Sequence, residues 1–248
     1  MTEPVRRVIV RGRMPDFLGS LDRATDGAAC SLYLPPALSP AEREAGMREV
    51  HAPHDSIDES IEIAGRSPTG AVLFSLPERT CLVLPPFPVG ELHRTGFIDT
   101  DPLKSLLGRD YTIALVLVRL GSFAVGVCRG EKLLGSKVGT GNIHGRHKKG
   151  GSSAHRFERH RDKQIEYFLT RVCRHSREHI EPHLPELDYL VYGGARTTIQ
   201  LLQKQCEFIA RIVTPTLPPL YDIPEPRQPV LETAIGRVWS STVIEWEY

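Results

Sequence analysis

YTIALVLVRLGSFAVGVCRGEKLLGSKVGT, residues 111–140, decides the fold class. Tyr111 to Leu120 is a nearly continuous apolar run, as expected of a central strand buried on both faces. Gly121-Ser122 turns the chain into a second strand at Phe123 to Cys128, and Arg129-Gly130 turns it again into a third at Lys132 to Val138. This meander delivers the chain to HKKGGSSAHRFERHRDKQ, residues 147–164. Beyond it, Phe157, Ile165, Phe168, Leu169, Val172 and Ile180 recur at helical spacing, which predicts a helix from Ser153 to Glu181 stopped by Pro182 and Pro185.

Working outward, Tyr189 to Tyr192 reads as a short strand, Gly193-Gly194 as a tight turn and Thr197 to Ala210 as a helix. Arg211 to Val213 is expected to be a last strand, Pro215 to Pro229 a surface crossing and Leu231 to Trp246 a closing helix. Upstream, Asp101 caps a helix to Gly108 with Pro102 at its first position. Val5 to Val10 and Ala29 to Leu34 read as strands, Ala71 to Phe74 and Thr80 to Leu84 as a pair, and Ser56 to Ala64 as a short helix. The fold class is α/β. The expected division is a strand-rich N-terminal extension over residues 1–70, packed on an α/β domain over 71–248.

The 248 residues carry a formal charge of only +1, so the whole chain does not advertise nucleic-acid binding. The cations are concentrated instead: Arg146 to Lys163 holds seven Lys or Arg against two acids, Glu158 and Asp162. That segment is where an anionic partner is expected. The five cysteines are widely spaced with no C-x-x-C, which predicts neither a disulfide framework nor a zinc ribbon and favours a reducing compartment. No apolar N-terminal block and no apolar run of about 18 residues is present, so a soluble cytoplasmic protein without a membrane partner is expected.

A charge run is usually a solvated face. Here, however, the cations flank Gly150-Gly151 and continue onto the first turns of a helix, whose free N–H groups and positive dipole end also attract anions. A polyphosphate backbone matches so many cations better than one small ligand does. Gly139-Thr140-Gly141 opens like a dinucleotide motif, but the third glycine and any Gly-Lys-Ser/Thr are missing. His144, His147, His155 and His160, and the pair His175 and His179, raise metal or acid–base chemistry, yet without Cys partners or H-E-x-x-H they favour RNA contact. No metal and no cofactor is expected.

RHKKGGSSAHRFERHRDKQIEYF, residues 146–168, resembles the Gly-Gly-Gln segment of eukaryotic and archaeal class-one peptide chain release factors. It is closer still to the release-factor-like peptidyl-tRNA hydrolases of ribosome quality control, where Gly-Gly-x-Ser-Gln-x-Arg-Phe is the typical order. The flanking LVLVRLGSFAVGV, GEKLLGSKVGT and LVYGGA are similar to the same middle domain, so the resemblance covers about residues 70–215. It implies an RNase H-like mixed sheet with flanking helices and a catalytic loop over 139–156. It also implies codon-independent hydrolysis of peptidyl-tRNA on stalled large ribosomal subunits, by a monomer, and nothing in the sequence resembles a codon-reading domain.

On this resemblance Gly150, Gly151, Ser152, Ser153 and Ala154 occupy the catalytic positions. Arg146, His147, Lys148, Lys149, Arg156, Arg159, Arg161 and Lys163 would hold ribosomal or transfer RNA. Glycines permit close backbone approach, and the cations fix register on phosphates. The departure is the glutamine itself. Aligned on Gly-Gly-Gln its place is taken by Ser152; aligned on Gly-Gly-x-Ser-Gln, which also seats Ser153, Arg156 and Phe157, it is taken by Ala154. Gln164, ten residues on, lies about 15 Å away along a continuous helix and reads as an ordinary polar residue. Three accounts fit Ala154: a replacement introduced to stop turnover, a natural loss of hydrolysis with binding retained, or water positioning by backbone and serine groups alone. A non-hydrolytic ribosome- or tRNA-binding factor is the alternative reading.

Overall fold

The structure, a computed structural model, describes residues 3–23, 29–48, 50, 54–145 and 152–248, with backbone alone at 54, 55 and 152–155. Two compact units are formed, residues 1–109 with 236–248, and residues 110–235. In chain order the first contains β1 (Val5–Ile9), α1 (Met14–Asp22), β2 (Cys30–Leu34), α2 (Pro40–Met47), α3 (His54–Arg66), β3 (Ala71–Leu76), β4 (Arg79–Leu84), β5 (His93–Thr95) and α4 (Asp101–Gly108). The second contains β6 (Thr112–Arg119), β7 (Ser122–Arg129), β8 (Lys132–Thr140), α5 (Ser152–Ile180), β9 (Tyr189–Gly194), α6 (Arg196–Gln205), α7 (Glu207–Ala210) and most of α8 (Gln228–Val238). The chain then returns to the first unit as β10 (Ser241–Glu247).

The first unit is a six-stranded antiparallel sheet in the order β1-β10-β4-β3-β2-β5. Leu32, Leu73, Leu82, Ile244 and Trp246 build its core with Met47 and Ile57. Three expectations are corrected. Among the described residues of 1–70 there are three α-helices and two strands; the signal passed over was Ser39-Pro40-Ala41-Glu42, a capping box in which Ser39 and Glu42 bond each other's backbone N–H. The division falls after Arg109 and before Gly236, not after residue 70, because β3 and β4 pair with β2 and β10. Leu231 to Trp246 is not one helix: α8 stops at Val238, and β-branched Thr242, Val243 and Ile244 continue as a strand.

The second unit confirms the α/β class with a mixed four-stranded sheet, β8-β7-β6-β9, in which β7 is antiparallel to both neighbours and β9 runs parallel to β6. Ala114, Val116 and Val118 of β6 and Phe123, Val125 and Val127 of β7 present one face to Phe168, Leu169 and Val172 of α5 and to Ile199 and Leu202 of α6. On β6 the alternate residues Ile113, Leu115 and Leu117 are fully buried as well, so the strand is covered on both faces, as its unbroken apolar run demands.

The end of this unit departs from expectation. Residues 211–213 form no strand. Pairing comes later, where Leu190, Tyr192 and Gly194 exchange backbone hydrogen bonds with Pro215, Leu217 and Leu220 along the outer side of β9. Prolines interrupt donation there, which leaves isolated bridges in place of a ladder. The expected helix over 197–210 is broken at Cys206, which forms a disulfide with Cys173 of α5. That pairing overturns the expectation of none. The two cysteines lie 33 residues apart on separate helices, a relation that spacing rules do not register. Cys30, Cys81 and Cys128 are buried thiols. No helix among the described residues is long and apolar enough to cross a membrane.

Candidate functional site

β8 is the outer strand of the mixed sheet, and its end at Thr140 feeds the segment toward α5. Gly139 and Gly141 are explained by packing. A Cβ at Gly139 would lie 2.5 Å from Phe123 Cε1, and one at Gly141 would lie 2.6 Å from Phe168 Cδ2. Both rings are fully enclosed in the core. The G-x-G pattern therefore serves close aromatic packing. Gly139→Val is expected to destabilise the chain by about 1–3 kcal/mol through overpacking, read as a lowered urea midpoint.

Gly150, Gly151, Arg146, His147, Lys148 and Lys149 lie outside the described residues. Ser152, Ser153 and Ala154 form the first turn of α5, one residue earlier than the sequence predicts. The helix runs 29 residues, roughly 44 Å at about 1.5 Å each. Its first described side chains are exposed: Arg156, Arg159 and Lys163, spaced three and four apart, share one flank. Arg161 is half-buried, and its Nε donates to the carbonyl of His144 at 3.0 Å. Phe157, expected in the core stripe, is 55% exposed, so the buried stripe begins only near Ile165.

Two residues of this region were missed by sequence reading. Tyr167 stands one turn beyond Lys163 with 69% exposure, placing an aromatic face beside the basic flank. Its position off the apolar stripe was the available signal. Gln164 is not merely a surface amide, since its Oε1 accepts the backbone N–H of His144 at 3.1 Å. No local sequence pattern reveals that bond.

Farther along α5, His175 and Glu178 are structural partners. The His175 ring stacks on Phe123 with centroids 5.6 Å apart, and its Nδ1 lies 2.7 Å from Glu178. The hydrogen bond from His175 holds the Glu178 carboxyl below its usual range. Burial pushes His179 down from its ordinary value. Burial likewise pushes the Cys81 and Cys128 thiols up to about 12, so neither supplies a thiolate at neutral pH.

Comparison with known proteins addresses the family of the chain. The profile of the Actinobacteria/chloroflexi VLRF1 release factors (acVLRF1) matches residues 111–244, more than half of the chain. The peptide chain release factor subunit 1 of Thermococcus sibiricus is 30% identical over 125 residues, covering 48% of this chain and 30% of that protein. The same subunit of Archaeoglobus fulgidus is 28% identical over 113 residues, covering 46% and 28%. The chain thus spans less than a third of the length of these curated relatives. Among solved structures, the archaeal translation termination factor aRF1 aligns with a TM-score of 0.36 at 14% identity, over 93% of this chain and 73% of that one. Archaeoglobus fulgidus Pelota aligns with a TM-score of 0.26 at 9% identity, over 95% and 63%.

The protein is of the release-factor-like class, related to class-one peptide chain release factors. Within that class, the chain belongs to the Actinobacteria/chloroflexi VLRF1 release factor family.

Proposed function

We propose that this chain is a codon-independent peptidyl-tRNA hydrolase that frees nascent chains from stalled large ribosomal subunits, with hydrolysis impaired by Ala154. The observation that carries the reading is the position of the Gly-Gly and cation segment, directly between the outer strand of a mixed sheet and a 29-residue helix with an exposed basic flank. In the reaction, water attacks the ester carbonyl, the bond from acyl carbon to ribose oxygen breaks, and the products are a peptide acid and a tRNA hydroxyl. Gly150 and Gly151 leave room for the backbone to approach that ester. Backbone N–H groups at the start of α5 have no intrahelical acceptor and suit a developing oxyanion. Arg156, Arg159 and Lys163, with Arg146, His147, Lys148 and Lys149, fix register on RNA phosphates. A cytoplasmic location and a monomeric state accompany this reading.

The test is release of a nascent peptide from purified stalled large subunits, comparing this chain with Ala154→Gln. A second reading is favoured by Ala154 itself: a factor that binds the ribosome or tRNA without hydrolysis. Binding is shared by both readings and is tested separately. Lys148→Ala with Lys149→Ala is expected to weaken large-subunit binding and to reduce the slope of log affinity against log salt by about 0.7 to 0.9 for each phosphate no longer neutralised. Unchanged affinity and slope in a salt titration would show that the two lysines are only solvated.

A further inference from the structure

We propose that Gln164 and Arg161 are positioning residues that clamp the backbone of His144 and so fix the point from which the chain enters the segment at 146–151. The proposal deepens the hydrolytic reading of that segment and rests on it for its consequence in release. Its geometry stands separately. The His144 N–H donates to Gln164 Oε1 at 3.1 Å, and the His144 carbonyl accepts from Arg161 Nε at 3.0 Å. Gln164 and Arg161 are three residues apart and neighbours on one helix face. Both backbone groups of a single residue are therefore held by side chains from 17 and 20 positions later in the chain.

The clamp is itself held in place. Gln164 Nε2 lies 3.3 Å from His160 Nε2, an arrangement that turns Oε1 toward the His144 N–H. The His160 ring stacks on the His144 ring with centroids 6.1 Å apart and planes at 29°. Nearer the sheet, Arg171 Nη1 donates to the Thr140 carbonyl at 3.1 Å, and the Gly141 N–H donates to the Gly121 carbonyl at 2.8 Å. The stretch from Gly141 to His144 is thus secured at both ends although it has left the sheet. Two residues after His144 the cationic segment begins, and six residues later α5 starts. A reacting group misplaced by about 1 Å is enough to cost on the order of 10²-fold in rate. Fixing His144, next to so short a segment, is how Gln164 and Arg161 act on that placement.

The clamp and the hydrolytic reading are tested separately. Amide hydrogen exchange at His144 is measured by NMR in the full chain and in Gln164→Ala, Gln164→Glu and Arg161→Ala. The same substitutions are placed in the Ala154→Gln background for peptide release. Gln164→Ala is expected to speed exchange at His144 about fivefold to tenfold, while Gln164→Glu, which keeps the acceptor, restores slow exchange. In release, Gln164→Ala is expected to lower kcat about tenfold with KM unchanged, whereas Arg161→Ala, which also removes a cation expected on RNA, is expected to lower kcat and raise KM together. Exchange at His144 that does not respond to Gln164→Ala overturns the clamp whatever the release assay gives, and so does an effect on release confined to KM. Faster exchange alongside no release from any Ala154→Gln chain supports the clamp and overturns the hydrolytic reading.

Discussion

Ala154→Gln is expected to raise nascent-peptide release from purified stalled large subunits by about 10²-fold over the chain with alanine. Position 154 lies in the first turn of α5, where backbone N–H groups have no acceptor within the helix. Alanine adds neither donor nor acceptor to that turn, whereas a glutamine amide supplies both and can orient a water. The alternative register makes a control available: Ser152→Gln restores the literal Gly-Gly-Gln but leaves position 154 empty of chemistry. It is expected to restore far less release than Ala154→Gln. Equal, vigorous release by the alanine and glutamine chains would mean that backbone and serine groups suffice. Tight subunit binding with no release by either would leave the non-hydrolytic reading.

Phe168→Ala is expected to cost about 3–5 kcal/mol, a large part of the roughly 5–15 kcal/mol that holds a typical domain. The ring is 1% exposed, meets Phe123 edge-on at 6.1 Å, and fills the space that Gly141 leaves by having no Cβ. Its loss leaves a cavity between α5 and β7 and removes the surface on which Gly141 rests. The measurement is urea unfolding followed by far-UV circular dichroism, to which the 29-residue α5 is the longest helical contributor. Tryptophan emission is a poor substitute, because Trp239 and Trp246 both belong to the other unit. An unchanged midpoint would show that the ring does not anchor the helix.

What the sequence disclosed and what it concealed divide along physical lines. The meander over 111–140 was readable because strand burial on both faces requires unbroken apolar runs, and glycine pairs mark the turns between them. α5 was readable from its stripe and from the prolines that end it. Phe157 was misplaced because helical periodicity continues past the point where the helix meets the sheet. β10 was hidden because α8 and β10 are both apolar and adjoin within two residues, so a single helical pattern spans them. The Cys173–Cys206 bond and the hold of Gln164 on His144 were illegible for another reason, being tertiary relations between residues with no local signature. At the candidate site, the glycines, cations and substituted alanine were visible as letters. The half-buried, bonded state of Arg161 was not.

β10 lies between β1 and β4, so the first sheet is made from both ends of the chain while residues 110–235 form one uninterrupted segment. Synthesis runs from the N-terminus, so the first sheet cannot be completed until residues 110–235 have been made. Every strand of the mixed sheet has been made while β1 still lacks its neighbour and β4 still offers an unpaired edge. Such edges invite wrong partners until they are filled. The sequence carrying the glycine and cation segment is made before the strand that fills the gap between β1 and β4.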